Sequence, residues 1–158
     1  MAATTPVFDD FLNNYAAVLR YLNDRITAPL NTYHLTFDTF LIMHEIQTSH
    51  EPLLLMDIAN SHHVSRSAIS RQISILLKYD YVYQVSNPND RRQKSLLLTK
   101  RGQEVDQALI TTIQQTLGEW TQQLGKRRIN NLLSLLNDFT QQIIEPTYTK
   151  SSPAPKDH

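Results

Sequence analysis

The 158-residue chain has no cysteine, which excludes disulfides, thiolate zinc sites, thiol catalysis and cysteine-based redox sensing. Glycine is scarce, with three in all, and neither a Gly-rich phosphate loop nor a nucleophile elbow is present. Asp9-Asp10 is the one carboxylate cluster, and it sits at a helix start where acids suit the helix dipole. No enzyme is expected. The six histidines offer no i, i+4 pair on one helix, and adjacent His62 and His63 would point about 100° apart; no metal and no cofactor is expected either. No apolar run approaches the roughly 20 residues of a membrane-spanning helix, and the opening MAATTPVFDDF lacks the basic and apolar regions of a signal peptide. The expectation is one soluble domain, cytoplasmic and without a membrane partner.

Net charge is lacking too: fifteen Lys and Arg balance fifteen Asp and Glu. The balance is uneven along the chain. Residues 60–102 hold Arg66, Arg71, Lys78, Arg91, Arg92, Lys94, Lys100 and Arg101 against Asp80 and Asp90. That segment carries a net +6, leaving −6 on the rest of a chain whose total is zero. A basic middle flanked by acidic ends is expected where one part of a fold meets a polyanion.

Apolar residues at steps of three and four predict a first helix from Phe8 to Ile26, ended by Pro29, and a second from Thr36 to about His50. A short helix follows near Leu54–Ser61, then one over Ser65–Tyr79, with Asp80 as a left-handed exit. Tyr81–Val85 and Lys94–Leu98 predict a two-stranded hairpin with a long basic tip, Asn87-Pro88-Asn89-Asp90-Arg91-Arg92. A long helix opens at Thr99, Gly125 interrupts it, and a last helix runs from Lys126 to Ile144 before Glu145-Pro146. The closing Ser/Pro-rich residues have the composition of a disordered tail. Long apolar stripes at both ends need cover, either from each other within one molecule or, more in keeping with their length, from a second copy.

On a helical wheel, Ser65–Lys78 gathers Ile69, Ile73, Leu76 and Leu77 on one side and Ser67, Ser70, Arg71, Ser74 and Lys78 on the other. An acid-free face of serines and arginine is unusual for a helix that merely faces water, where Glu and Lys pair. Short side chains let a helix enter a groove, Ser hydroxyls bond phosphates or base edges, and Arg forks onto guanine O6 and N7. Ser65 is placed to cap this helix. Ile58, Ala59 and Val64 supply the close contact with the helix before it, so the pair reads as a helix-turn-helix. The tip arginines Arg91 and Arg92 suit a minor groove or the DNA backbone, with Asp90 as a local anchor.

Leu53-x3-Asp-Ile-Ala, Val64-Ser-Arg-Ser-Ala-Ile-Ser-Arg-Gln-Ile, Leu76-Leu-Lys-Tyr-Asp-Tyr-Val, Asp90-Arg-Arg and Leu98-Thr-Lys-Arg-Gly together resemble the winged helix-turn-helix of the MarR family of bacterial transcription regulators. The resemblance implies a mainly α fold, a winged helix-turn-helix with a small β-hairpin wing and long terminal helices that form a dimerisation domain. Residues 1–30 and 100–146 would be the dimerisation helices, 31–99 the DNA-binding lobe and 147–158 the tail. It further implies a homodimer on a palindromic operator in double-stranded DNA, most often as a repressor. Ser65, Arg66, Ser67, Ser70 and Arg71 fall on the family's recognition-helix positions, with Ser74 on the same face, and Asp90, Arg91 and Arg92 on its wing. Two positions depart from the pattern: His62-His63 stands where the family has an apolar residue and a turn glycine, and Asp80 where another glycine is frequent.

Such regulators respond to an effector. Tyr15, Tyr33, His34, Phe37 and His44 are the aromatic and imidazole groups expected near a crevice among the first, second and fifth helices, suited to a small aromatic or phenolic compound. The alternative from another class is a winged-helix protein-interaction module whose basic face meets an acidic partner protein.

Overall fold

Side-chain caps set the starts of several helices in this chain. The computed structural model describes residues 6–86 and 93–147. Its elements are α1 (Pro6–Leu22), α2 (Ala28–Asn31), α3 (Phe37–Thr48), β1 (Leu53–Leu54), α4 (Leu55–Ser61), α5 (Arg66–Lys78), β2 (Val82–Ser86), β3 (Lys94–Leu98), α6 (Lys100–Leu124) and α7 (Lys126–Phe139). The sheet order is β1-β3-β2, all antiparallel, with Val82 opposite Leu98, Ser86 opposite Lys94 and Leu53 opposite Leu96. The expected hairpin is thus a three-stranded sheet. A strand of two residues is too short to show any periodicity, which is why β1 escapes a reading of the sequence.

Pro29 does not end the first helix. Helical backbone continues through a π turn at Asn23–Thr27 into α2, with Leu22, Thr27 and Ala28 all right-handed. The Ala28 N–H reaches back five residues to the Asn23 carbonyl. A proline inside a regular α-helix clashes with the carbonyl four residues earlier; the wider turn relieves that crowding at the point where the proline ring needs room. Gly125, at φ +85, separates α6 from α7 as expected.

The chain divides between Ile113 and Gln114 into two compact units. The first holds the core: Leu30, Leu35, Phe40, Met43, Ile58, Ile69, Ile73, Leu76, Tyr81 and Leu96 are fully or almost fully buried, and Val105 and Leu109 of α6 join them. Thr36 caps α3 by accepting the Thr39 N–H. The buried Thr39 hydroxyl donates to Gln72 Oε1, fastening α3 to α5 without leaving a polar group unpaired. In the second unit Ile129 is the buried apolar residue of α7, while Leu132, Leu133, Leu136 and Phe139 are exposed. No residue of α1 is buried.

The family-like Leu98-Thr-Lys-Arg-Gly segment has a structural reason at each end. Thr99 Oγ1 accepts the Gly102 N–H and donates to the Asp80 carbonyl, while the Thr99 N–H donates to the Tyr81 carbonyl. Gly102 then lies so close to that carbonyl that a Cβ there would sit 2.0 Å from the Tyr81 oxygen. Asp80, at φ +59, takes the left-handed exit expected of it.

Candidate nucleic-acid interface

The helix-turn-helix is α4 and α5. Asp57 caps α4 by accepting the Leu54 N–H at 3.0 Å, and Ala59, almost fully buried, is small enough for α4 and α5 to approach. The turn between them runs through His62 and His63. His63 adopts φ +52, so a histidine occupies the left-handed position that glycine would fill more cheaply. His62 Nε2 lies 2.8 Å from Glu45 Oε2 and the Ser61 hydroxyl donates to Glu45 Oε1, so α3 steadies the turn from behind. Ser65 then caps α5 by accepting the Ala68 N–H. Ile69, Ile73 and Leu76 are buried as expected, whereas Val64 and Leu77 are exposed on the surface of the lobe.

The opposite face of α5 is open. Arg66, Ser67, Arg71 and Ser74 are exposed and Ser70 is partly buried. Among the described residues neither Arg66 nor Arg71 has an ion pair or a side-chain hydrogen bond. The serines are not equivalent. Ser65 is engaged in its cap and lies 3.0 Å from the Ser67 hydroxyl, and the Ser74 hydroxyl donates to the Ser70 carbonyl. Ser70 therefore offers the serine hydroxyl least committed to the helix itself. The wing residues Asp90, Arg91 and Arg92 lie outside the described residues.

The five candidate effector residues do not gather around one cavity. Tyr15 stacks on Phe11 along α1. His34, in a left-handed turn, stacks on Tyr79, and the Tyr33 carbonyl accepts the hydroxyl of Tyr81. Phe37 lines a cavity of about 300 Å³ with Leu19, Leu22, Asn23, Ile26 and Thr27. His44 turns to α6, where its Nδ1 lies 3.1 Å from both carboxylate oxygens of Asp106.

Asp106 is a buried acid that the sequence does not distinguish from the other polar residues of α6, since its partner is 62 positions away. Burial raises its carboxyl above the ordinary aspartate range, outweighing the hydrogen bond and charge of His44, which act to lower it. A raised carboxyl favours the folded chain below the unfolded-state pKa and loses that contribution as pH rises through the folded-state value. The unfolding free energy of wild type, measured by urea titration, should therefore fall relative to Asp106→Asn as pH climbs from about 4 through that value. A difference that stays constant with pH would contradict this.

Comparison with known proteins agrees with the geometry. The sequence profile of the MarR family matches residues 35–94, which span α3 to the start of β3. An uncharacterized HTH-type transcriptional regulator of Staphylococcus aureus is 25% identical over 107 residues, 66% of this chain and 71% of its own length. Among solved structures, Staphylococcus aureus MarR in complex with salicylate and kanamycin superposes with a TM-score of 0.68 at 18% identity, covering 87% of this chain and 94% of that one. A Staphylococcus aureus MepR mutant bound to an oligodeoxyribonucleotide does so with 0.62 at 14% identity, covering 84% and 97%. At those identities the structural likeness is one of fold. Over residues 35–94 the chain thus matches the MarR family profile, it is similar to HTH-type transcriptional regulators, and it shares the winged helix-turn-helix fold of the MarR structures.

Proposed function

We propose that this chain is a transcriptional regulator that acts as a cytoplasmic homodimer on a palindromic operator, placing two α5 helices in successive major grooves about 34 Å apart and two wings beside them. It represses until a small aromatic effector releases it. The observation that carries this reading is the acid-free face of α5, where Arg66 and Arg71 stand exposed and without a partner among the described residues. Arg66, Ser67, Ser70, Arg71 and Ser74 read or grip DNA, Ser65 supports them as the cap, and Arg91 and Arg92, anchored by Asp90, extend the contact from the wing.

Residues 31–99 form the DNA-binding lobe in this reading, and residues 1–30 and 100–146 pair the two copies. The unburied apolar stripes support the pairing: Phe8, Phe11, Leu12 and Leu19 on α1 and Leu132, Leu133, Leu136 and Phe139 on α7 are all exposed in the single chain. Apolar area of that kind contributes about 25 cal/mol per Å² when removed from water. The Phe37 cavity, mostly apolar and at the small end of ligand sites, suits one aromatic ring.

Light scattering on the purified protein should give twice the 18.2 kDa of the chain. Leu136→Glu should yield single chains that bind an operator duplex at least tenfold more weakly. A wild type that is monomeric yet binds a palindrome as tightly as a half-site would overturn the dimer.

A further inference from the structure

Between the N-terminal end of α5 and the wing lies a hollow of about 380 Å³. It is lined by Leu54, Leu55 and Met56 together with Arg66, Gln84, Gln93 and Lys94. No acid lines it. Among the described residues neither Arg66 nor Lys94 has an ion pair.

The sheet explains how the hollow arises. Alternate side chains of a strand share a face, so Val82 and Gln84 on β2 point to the same side as Leu98, Leu96 and Lys94 on β3. That row is apolar and buried at Val82, Leu96 and Leu98, where the sheet covers the core. It turns polar and exposed at Gln84 and Lys94, where the sheet leaves it. Gln84 lies opposite Leu96 and Lys94 opposite Ser86, so the two are diagonal neighbours across the strands.

We infer that this hollow seats one backbone phosphodiester of the bound duplex, held by Lys94 and Arg66 with the Gln84 amide as a further donor. The inference rests on the proposed docking of α5 in a major groove and the wing in the adjacent minor groove. Two neighbouring grooves are separated by one sugar-phosphate strand. A fold with one element in each must let that strand cross the surface between them, and on this lobe the surface between α5 and the wing is the hollow. Lys and Arg contacts of this kind fix register on the duplex and carry no base preference. Lys94 and Gln84 are thus positioning residues for DNA, distinct in role from Arg71.

The test uses the full-length protein and a duplex selected on it from a random-sequence pool, followed by fluorescence anisotropy. Lys94→Gln should weaken binding about five- to tenfold at 0.15 M salt, equally for selected and scrambled duplexes. It should also lower the slope of log K against log salt by about one. Duplexes carrying single neutral methylphosphonates should locate the contact: one position per half-site should weaken wild type and leave Lys94→Gln unaffected. If Lys94→Gln binds with unchanged slope and no methylphosphonate position is coupled to it, the phosphate seat is refuted while the α5 reading stands. If wild type binds no duplex at all, both fall. If calorimetry shows inorganic phosphate binding to wild type but not to Lys94→Gln, and the methylphosphonate scan is flat, the hollow serves free phosphate and the backbone assignment is wrong.

Discussion

Replacing Arg71 with Ala should reduce affinity for a selected operator by about 10- to 100-fold while affinity for a scrambled duplex falls far less. Arg71 projects from the middle of the exposed face of α5, has no ion pair among the described residues, lies one turn from Ser67 and directly follows Ser70. From that place a guanidinium is positioned to fork onto the O6 and N7 of guanine, a contact worth about 1–3 kcal/mol against the wrong base. The loss should fall on the specific complex because a base edge, unlike a phosphate, is present only in the right sequence. Stability should move by less than about 0.5 kcal/mol, since among the described residues no ion pair or hydrogen bond depends on this exposed side chain. Anisotropy titrations with both duplexes at one salt concentration measure the ratio directly. Equal losses on the two duplexes would move Arg71 from base reading to backbone contact.

The second large effect is on stability. Gly102→Ala places a Cβ at 2.0 Å from the Tyr81 carbonyl oxygen and 2.9 Å from its carbon. Two effects oppose each other here. Ala is favoured over Gly inside a helix by about 1 kcal/mol, so a glycine in the first turn of α6 with open space beside it would be improved by the change. The contact is with backbone, however, and that backbone is fixed. The Tyr81 side chain is fully buried with its hydroxyl on the Tyr33 carbonyl, and the Tyr81 carbonyl accepts the Thr99 N–H. Relief requires the first turn of α6 to back away, which breaks the bracket that Thr99 makes to Asp80 and Tyr81. Overpacking of this kind costs about 1–3 kcal/mol, and the broken bracket adds to it. We expect a net loss of about 2–3 kcal/mol and a melting temperature lower by roughly 5–10 °C. A melt by circular dichroism at or above the wild-type temperature would show that helix propensity wins and that the close approach is not real.

The sequence made the helix-turn-helix legible because its signals are local. Asp57, Ser65 and Thr99 each act as a cap within three residues of their partner. Asp80 and Gly125 mark positive φ at helix ends. The motif that identifies the family is in large part a set of such structural devices. Ser65, expected both to cap α5 and to fall on the family's recognition positions, accepts the Ala68 N–H as the cap and lies beside the Ser67 hydroxyl.

What escaped the sequence was long-range or depended on geometry that no local pattern encodes. The Thr39–Gln72 and His44–Asp106 pairs join residues 33 and 62 apart. The π turn that carries the chain past Pro29 is a backbone adjustment made in response to the proline, and the sequence shows only the proline. The candidate effector residues shared chemistry but not a place: aromatic character alone did not tell the stacked Tyr15 and His34 from Phe37 at a cavity. Lys94 counted in the sequence only as one of the basic residues of 60–102; that it shares a hollow with Gln84 and Arg66 depends on the β2–β3 register and on where α5 packs.

The central claim is that the exposed face of α5 lies in the major groove. Guanine N7 faces that groove, so dimethyl sulfate interference on a selected duplex tests the claim most directly. The account predicts two clusters of interfering N7 methylations, centred one helical turn apart, about 10 base pairs, with the signal at one guanine in each cluster abolished by Arg71→Ala. Tight binding with no interference at any guanine N7 of a guanine-containing site, and interference confined to minor-groove adenine N3, would contradict it.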